Sequence, residues 1–331
     1  MQYGILGSGS WATALAKILT DNNHTINWWV RNEESIGHLE RRRHNPKYLS
    51  QAYFNLNQIH LSSSISYVIS KSDILVIAVP SAYLEDILSN LNTDIFEGKK
   101  IVSAVKGLVP GHHQLLNEWL EKKFQFSPEN YFAIVGPCHA EEVAAEKLSY
   151  LTISGTDKEF ATKIAADFRN EYIHTMTNSD ISGVQYAAVL KNIYALGAGI
   201  AHGLEYGDNF ISVYIANSAR ELVQFLRNIN ICEDETLNYT ASPYLGDLLV
   251  TCYSLYSRNR TFGNMIGKGY SVTSAKLELN MIAEGYNASR SIEIKNRSVK
   301  SNMPIAQNIY DILWNNLPAA TGFKNIEAVL T

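Results

Sequence analysis

The sequence predicts a doubly wound α/β domain over residues 1–180, followed by an all-helical domain over residues 181–331. Three observations support this fold class. Short apolar segments alternate with helical patterns through the first half of the chain. These segments are apolar almost without interruption, which is typical of parallel strands covered by helices on both faces. From Ile181 onward, apolar residues recur almost only at helical spacing.

Six segments are predicted as strands: Tyr3–Leu6, Thr25–Val30, Ile74–Val79, Lys100–Ala104, Ala133–Val135 and Leu151–Ser154. A helix is predicted between the first two strands, because Ala12, Ala16 and Leu19 recur at helical spacing. In the second half, the apolar run Ala187–Ala201 is too short to cross a bilayer and is interrupted by Lys191. We therefore expect no membrane insertion.

The composition is that of a globular protein, since 46% of the 331 residues are hydrophobic and 18% are charged. The net charge of −4 provides no basic field for nucleic acid. Cys138, Cys232 and Cys252 show no CxxC spacing, which argues against a zinc site and against a disulfide framework. The sequence thus predicts a cytoplasmic protein without a metal or a nucleic-acid partner.

The turn after the first strand reads Gly7-Ser8-Gly9-Ser10-Trp11-Ala12 and opens a helix. This is the G-x-G-x-x-G/A pattern of Rossmann-type dinucleotide-binding domains in its strand–turn–helix context. Gly7 permits the tight turn, Gly9 lets the backbone approach a pyrophosphate, and Ala12 lets the helix pack closely on the strand. The helix N-terminus directs N–H groups at the phosphates. An ordinary glycine-rich turn is the alternative.

Arg31 follows the second strand, where a domain selective for NAD usually has an acidic residue for the ribose 2′-OH. A guanidinium suits a 2′-phosphate or stacks on adenine, so we expect NADPH, or use of both NADPH and NADH. A surface arginine is the alternative, and the basic run Arg41–Arg43 is more typical of a solvated helix face.

Two further loops follow strands at the carboxyl edge of the predicted sheet, where doubly wound folds bind ligands. Lys106 follows the fourth predicted strand, and Gly136 follows the fifth. Cys138 is interpreted as a small packed residue rather than a nucleophile, because the sequence shows no histidine–acid partner for it besides His139.

Lys191 lies in a predicted helix with small residues on or next to its face, namely Ala187, Ala188, Ala195 and Ala198. A lysine among small residues has room for a ligand beside it, and burial would make its charge costly. Both properties suit a proton donor or acceptor with a shifted pKa. A lysine that extends to solvent from an alanine-rich helix is the alternative.

Polar side chains are dense between residues 246 and 260. Asp247 and Thr251 are spaced i,i+4 and share a helix face. Arg258 offers a planar fork for a phosphate or carboxylate, and Asn259 can both donate and accept hydrogen bonds. A plain helix C-terminus with solvated arginines is the alternative.

Six motifs in this order make the chain resemble the bacterial NAD(P)-dependent glycerol-3-phosphate dehydrogenase family over nearly its whole length. The motifs are Gly7–Ala14, Val105–Leu108, Gly136–Ala140, Leu190–Ala195, Gly246–Cys252 and Ser257–Gly263. The resemblance implies dihydroxyacetone phosphate and sn-glycerol 3-phosphate as small-molecule substrates, with NADH or NADPH as the cofactor. It also implies supply of the phospholipid backbone and a homodimer.

The resemblance further assigns roles to individual residues. Lys191 matches the catalytic lysine that exchanges the proton on the C2 oxygen, and Lys106 matches a lysine near substrate and nicotinamide. Asp247 and Thr251 match a polar pair that supports the catalytic lysine and the substrate hydroxyls. The implied substrate contacts are Lys106, Gly136, Cys138, Lys191, Asp247, Ser257, Arg258 and Asn259. The implied cofactor contacts are Gly7, Gly9, Ser10, Trp11, Ala12, Arg31, Lys106, Ala140, Arg258, Ile282 and Glu284.

Two positions depart from the family pattern. Ala12 stands where the family commonly has glycine, and Cys138 stands where it usually has serine or threonine. Alanine is allowed by the general glycine-loop pattern, so only a small positional change is expected. A thiol is a weaker donor than a hydroxyl, so a substrate contact at residue 138 would be weakened or replaced.

Two other functions are compatible with a dinucleotide domain, because a fold does not determine a reaction. A related 3-hydroxyacid or UDP-sugar dehydrogenase is one. Oxidation of a UDP-sugar to the acid would need a cysteine nucleophile, and neither Cys232 nor Cys252 has a suitable setting. A catalytically silent NAD(P)-binding regulator is the other. It would be expected to lack the lysines and the phosphate-binding residues, whereas the chain has all of them: Lys106, Lys191, Asp247 and Arg258.

Overall fold

A computed structural model of the chain describes residues 1–229, 237–279 and 283–331. The chain forms two compact units. Met1–Val105 and Leu116–Ile181 make the first, and Lys106–Leu115 and Ser182–Thr331 make the second. The segment Lys106–Leu115, which the sequence groups with the sheet, therefore belongs to the helical unit. Among the described residues, no helix is both long enough and apolar enough to cross a membrane.

The first unit is built on one sheet. Its eight strands, all within the fully described residues 1–181, are β1 Tyr3–Leu6, β2 Ile26–Trp29, β3 Ile59–Ser62, β4 Ile74–Ile77, β5 Lys100–Ser103, β6 Tyr131–Val135, β7 Ser149–Gly155 and β8 Ile173–Asn178. Their order across the sheet is β3-β2-β1-β4-β5-β6-β7-β8. The order reverses between β1 and β4, and doubly wound sheets bind ligands outside the carboxyl ends of strands at such a point.

All neighbouring strands are parallel except β6 and β7, which are antiparallel. The apolar pattern predicts a parallel sheet, and this one pair is a correction. Continuous apolarity reports burial on both faces, which a strand can have in either direction. The sequence also misses β3 and β8. Both are edge strands with exposed positions, so their sequences are half polar.

The helices of the first unit lie between these strands. They are α1 Ser10–Asp21, α2 Glu33–Arg42, α3 Ile65–Ser70, α4 Leu84–Leu88, α5 Leu116–Phe124, α6 Ala140–Ala144 and α7 Lys158–Phe168. The longest of them, α1, is buried from Ala12 to Thr20 and packs with β1 and β2 in the core. Burial of this helix sets the position of its N-terminus, where the glycine loop ends.

Apart from the segment Lys106–Leu115, the described part of the second unit is mainly helical. Its helices are α8 Ile181–Gly203, α9 Asp208–Asn228, α10 Asp247–Tyr253, α11 Arg258–Gly267, α12 Val272–Glu278, α13 Glu284–Val299, α14 Pro304–Trp314 and α15 Ala319–Glu327. A π-helical turn over residues 242–246 leads directly into α10. Every residue of α8 from Gly183 to Ala201 is buried, so α8 is the core of this unit. The predicted fold class, a doubly wound sheet domain followed by a helical domain, is confirmed.

Glycines bring α8 and α11 into backbone contact. A Cβ on Gly199 would collide with the carbonyl of Arg260, and a Cβ on Gly263 would collide with the carbonyl of Leu196. Only glycine allows so close an approach of two helices. This contact fixes α11, whose first residues are among the predicted site residues, against the central helix.

Candidate active site

The glycine loop of the first unit is shaped by two glycines with different roles. Gly7 has φ of +125°, and a Cβ there would lie 2.7 Å from the carbonyl oxygen of Ala78. Gly9 has φ of −76° and ψ of −178°, an extended conformation that any residue can adopt. A Cβ on Gly9 would meet no heavy atom within 4 Å. Gly7 is thus required by the turn, whereas Gly9 leaves open space above the loop.

The N-terminus of α1 fits the pyrophosphate of a dinucleotide. Gly9 is its N-cap, Ser10 and Trp11 form its first turn with Ala12, and that turn contains no acidic residue. The N–H groups of a helix N-terminus and the positive end of the helix dipole favour an anion, and no acidic residue of this turn opposes one. Arg31 is exposed beyond the end of β2, a strand adjacent to β1.

Gly136 and Cys138 follow β6 at the same sheet edge. Gly136 has φ of +136°, and a Cβ there would collide with the carbonyl of Tyr150. The Cys138 thiol donates to that carbonyl at 3.1 Å and is buried in the core. These contacts support the interpretation of Cys138 as a packed residue. Ala140 is buried at the start of the short helix α6.

Lys191 is the centre of the site in the second unit. It lies in the middle of α8, is 3% exposed, and forms an ion pair with Oδ1 of Asp247. The alternative of a lysine that extends to solvent is therefore excluded. The four alanines near Lys191 are also buried, at 1% exposure or less. They pack in the core because α8 is covered on every side, which corrects the expectation that they leave room for a ligand.

Asp247 carries a buried acceptor for which the described part of the chain offers no donor. Its Oδ1 pairs with Lys191, and the Thr251 hydroxyl donates to its backbone carbonyl at 2.6 Å and lies 3.5 Å from Oδ1. Its Oδ2 is buried and has no hydrogen-bond partner among the described residues. A buried carboxylate oxygen without a donor is costly, so Oδ2 is an acceptor that a ligand hydroxyl could satisfy.

An amide chain, not foreseen from the sequence, links the predicted residues. Asn192 Nδ2 donates to the carbonyls of Lys106 and Ala188, each at 3.0 Å. Asn259 Nδ2 donates to Asn192 Oδ1 at 2.9 Å, and Asn259 Oδ1 accepts from the Gly285 N–H at 2.9 Å. One N–H of Asn259 is left for a ligand. Asn192 directly follows Lys191 in the motif Leu190–Ala195, which is the sequence signal that could have identified it.

Arg258 begins α11 and is half-buried. Ser257 is the N-cap of this helix, and its hydroxyl oxygen accepts from the Arg260 N–H at 3.3 Å. The two residues therefore lie at a helix N-terminus, the end that attracts anions. This contradicts the alternative of a helix C-terminus with solvated arginines.

Four further residues of interest from the sequence remain to be located. Glu284 is the first residue of α13, whereas Ile282 and Cys232 lie outside the described residues. Cys252 is buried next to Thr251, and burial raises the pKa of its thiol above the usual range, against the opposing charges of Lys191 and Arg260. A neutral buried thiol is a poor nucleophile, in keeping with the sequence argument against a UDP-sugar dehydrogenase.

Comparison with known proteins places the chain in one family. The family model for the NAD-dependent glycerol-3-phosphate dehydrogenase N-terminus matches residues 2–161, and the model for the C-terminus matches residues 180–324. The chain is 31% identical over 330 residues to glycerol-3-phosphate dehydrogenase [NAD(P)+] from Macrococcus caseolyticus, covering 98% of this chain and 97% of that one. It is 31% identical over 326 residues to the protein of the same name from Staphylococcus aureus, covering 97% and 96%.

Solved structures extend the likeness to the fold. Glycerol-3-phosphate dehydrogenase from Coxiella burnetii is 24% identical, with a TM-score of 0.90 and 98% of each chain covered. At this identity the likeness concerns the fold alone. With both family models matched over nearly the whole length, the chain belongs to the NAD-dependent glycerol-3-phosphate dehydrogenase family, as its six motifs predict.

Proposed function

We propose that the chain interconverts dihydroxyacetone phosphate and sn-glycerol 3-phosphate. The observation that carries this proposal is the buried pair of Lys191 and Asp247, whose second carboxylate oxygen has no partner among the described residues. A substrate with a carbonyl or hydroxyl at C2 and a hydroxyl beside it would use both groups. The ammonium meets the C2 oxygen, and the carboxylate accepts from the hydroxyl.

Lys191 is the proton donor in the reducing direction. When bound, NADPH or NADH would supply the hydride that C2 accepts. The Lys191 ammonium stabilises the negative charge that develops on the C2 oxygen and then transfers a proton to it. Asp247 holds the ammonium in place and balances its charge while it is buried. Thr251 fixes Asp247 through its backbone carbonyl, and Lys106 adds a second positive charge.

Arg258 and Asn259 hold the substrate phosphate. Arg258 offers a forked pair of donors at a helix N-terminus, and Asn259 has one N–H left after its contact with Asn192. The phosphate does not react, but the energy of binding it fixes the orientation of C2 relative to the reacting groups. The roles expected for Ser257, Gly136 and Cys138 stay predictions.

The first unit binds the cofactor. The open space above Gly9 and the N-terminus of α1 accept the pyrophosphate, with Ser10 and Trp11 beside it. Arg31 supports use of NADPH because its guanidinium suits a 2′-phosphate. Ala140, Ile282 and Glu284 stay predicted contacts.

The testing experiment follows the absorbance of the reduced nicotinamide with dihydroxyacetone phosphate, separately for NADH and NADPH. Oxidation that depends on this substrate is expected, with NADPH at least as effective as NADH because of Arg31. Arg31→Asp should reverse that preference, since a carboxylate repels a 2′-phosphate and accepts from a 2′-OH. Cofactor binding without substrate-dependent oxidation would contradict the reaction but leave the cofactor site intact.

We further propose that the enzyme is a homodimer in the cytoplasm, where it supplies the phospholipid backbone. The family supports the assembly and the role, and the absence of CxxC spacing is in keeping with a reducing compartment. Sedimentation of the full chain at several concentrations tests the dimer, and a monomer at all of them would contradict it.

A further inference from the structure

Three consecutive carbonyls of the glycine loop are each held by a side chain. Trp28 Nε1 donates to the Gly7 carbonyl at 2.7 Å. Asn45 Nδ2 donates to the Ser8 carbonyl at 3.0 Å. The Thr13 hydroxyl donates to the Gly9 carbonyl at 2.9 Å. Because a trans peptide directs its C=O and N–H to opposite sides, these bonds turn the next three N–H groups away from the donors.

Among these donors, Asn45 is the one farthest in sequence from the loop, and its amide makes the most hydrogen bonds. Its second N–H donates to the Thr13 hydroxyl oxygen at 2.9 Å, and the Thr13 hydroxyl in turn donates a hydrogen bond to the Gly9 carbonyl. Its Oδ1 accepts from the Lys47 and Tyr48 N–H groups at 3.0 and 3.2 Å. All four hydrogen bonds that an asparagine amide usually makes are formed, at 3% exposure.

We infer that Asn45 is a positioning residue for the cofactor, which fixes the glycine loop in the conformation that binds the pyrophosphate. The inference rests on the proposed function of the first unit. The Asn45 amide supplies one N–H to the Ser8 carbonyl, one N–H to the Thr13 hydroxyl, and a single oxygen that accepts twice from its own turn. The loop and the turn after α2, otherwise separate in the chain, are thereby held as one piece.

If Asn45 had only a structural role, its replacement would lower stability without weakening cofactor binding. The variants must therefore separate the Nδ2 donor of the amide from its Oδ1 acceptor. Asn45→Asp keeps an oxygen for the Lys47 and Tyr48 N–H groups but loses the donations to the Ser8 carbonyl and to the Thr13 hydroxyl. It also sets a carboxylate oxygen against the Ser8 carbonyl. Asn55→Asp is the matched control, since exposed Asn55 accepts from the Asn57 N–H at 3.1 Å in a similar turn without any donation to the loop.

The experiment measures dissociation constants of NADPH, NADH and ADP-ribose by calorimetry on the full chain, together with Tm. For Asn45→Asp, all three constants should rise at least about tenfold, because the Ser8 carbonyl and the Thr13 hydroxyl lose their donors and the three ligands share the pyrophosphate. At saturating NADPH, the KM for dihydroxyacetone phosphate should stay unchanged. Asn55→Asp should behave as wild type.

A lowered Tm with unchanged dissociation constants would overturn the inference and leave Asn45 with a structural role. Thr13→Val supplies a second test if Asn45→Asp does not fold, because it removes the hydroxyl that Asn45 contacts and keeps the shape. It should weaken all three ligands by a smaller factor, and unchanged affinities would overturn the inference. Failure of the wild-type chain to bind any of the ligands would instead contradict the proposed cofactor site.

Discussion

The anion sites that we propose in the two units use different kinds of groups. In the first unit, the groups offered to an anion are backbone N–H groups of the glycine loop, and side chains serve to orient them. In the site proposed for the second unit, the cationic groups are side chains: Lys191, which is paired with Asp247, and Arg258 at a helix start. A backbone site needs a particular loop shape, whereas a side-chain site needs residues brought together from distant parts of the chain.

The largest expected effect comes from breaking the side-chain site at its centre. Lys191→Ala should lower kcat by about 10²–10⁴-fold, the range for loss of a general acid. It should leave the dissociation constant of NADPH unchanged, because the cofactor loop belongs to the other unit. Steady-state kinetics and calorimetry measure the two quantities. A kcat within a few-fold of wild type would remove Lys191 from the chemistry.

Stability and chemistry can be separated in the same variant. Lys191→Ala leaves the buried Asp247 carboxylate without its counter-charge, which costs about 3–5 kcal/mol of the free energy of unfolding. Lys324→Ala is the matched control, since Lys324 is exposed in the same unit and pairs with Glu327 at 2.9 Å. It should change neither kcat nor stability measurably, because exposed pairs contribute little.

Two glycines sharpen the comparison of the units. Gly9→Ala adds a methyl group to open space and should leave Tm unchanged while it weakens NADPH about tenfold or more, because the methyl occupies the approach to the pyrophosphate. Gly263→Ala drives a methyl into the Leu196 carbonyl and should lower stability by about 1–3 kcal/mol or more. Thermal unfolding and calorimetry on both variants test this crossed pattern, and a Tm loss in Gly9→Ala would contradict it.

The same contrast explains what the sequence could predict of the fold. The buried strands of the first unit and its glycine loop are encoded in continuous segments, so pattern alone identifies them. The edge strands β3 and β8 escape because one half of each is polar. The antiparallel direction of β7 could not be predicted, because apolar residues indicate burial and carry no information about strand direction.

The site in the second unit could be predicted only in part. Lys191, Asp247 and Arg258 are chemically conspicuous, and the family motifs connect them. The links of Asn192 to the Lys106 carbonyl and of Asn259 to Gly285 span 86 and 26 residues, so no local pattern reports them. Asn45 escapes for the same reason, since its partners lie 32 and 37 residues away.

We expect a smaller effect at Arg258 than at Lys191, because the proposed role of Arg258 is to bind the phosphate, the part of the substrate that does not react. Arg258→Ala should raise the KM for dihydroxyacetone phosphate about tenfold to a hundredfold, the cost of losing hydrogen bonds to a charged group. Arg258→Lys should recover only part of this loss, since lysine lacks the planar fork. Arg297→Ala, at an exposed arginine of α13, is the control and should leave KM unchanged. An unchanged KM in Arg258→Ala would move the phosphate elsewhere.

The smallest expected effect concerns a place where backbone N–H groups of the helical unit contact a carboxylate. Glu221 of α9 accepts from the Ile305 and Ala306 N–H groups at the start of α14, each at 2.9 Å, and from the Tyr194 hydroxyl at 3.1 Å. Burial raises the pKa of this carboxyl to about 7, although these hydrogen bonds and the Arg220 charge oppose the shift. Here the backbone groups serve the protein's own carboxylate, which occupies the place a ligand would take.

The sign of the pH dependence follows from that raised pKa. Between the usual pKa of 4.5 and the folded value of about 7, the folded chain holds more protons at Glu221 than the unfolded chain does. Its contribution to stability is therefore complete below pH 4.5 and is lost as the pH rises through 7. From about pH 6 to about pH 8, the wild type should lose about 1 kcal/mol relative to Glu221→Gln, which keeps the shape and cannot titrate. Urea unfolding of both proteins at the two pH values measures the difference, and parallel pH profiles would show that Glu221 is ionised throughout this range.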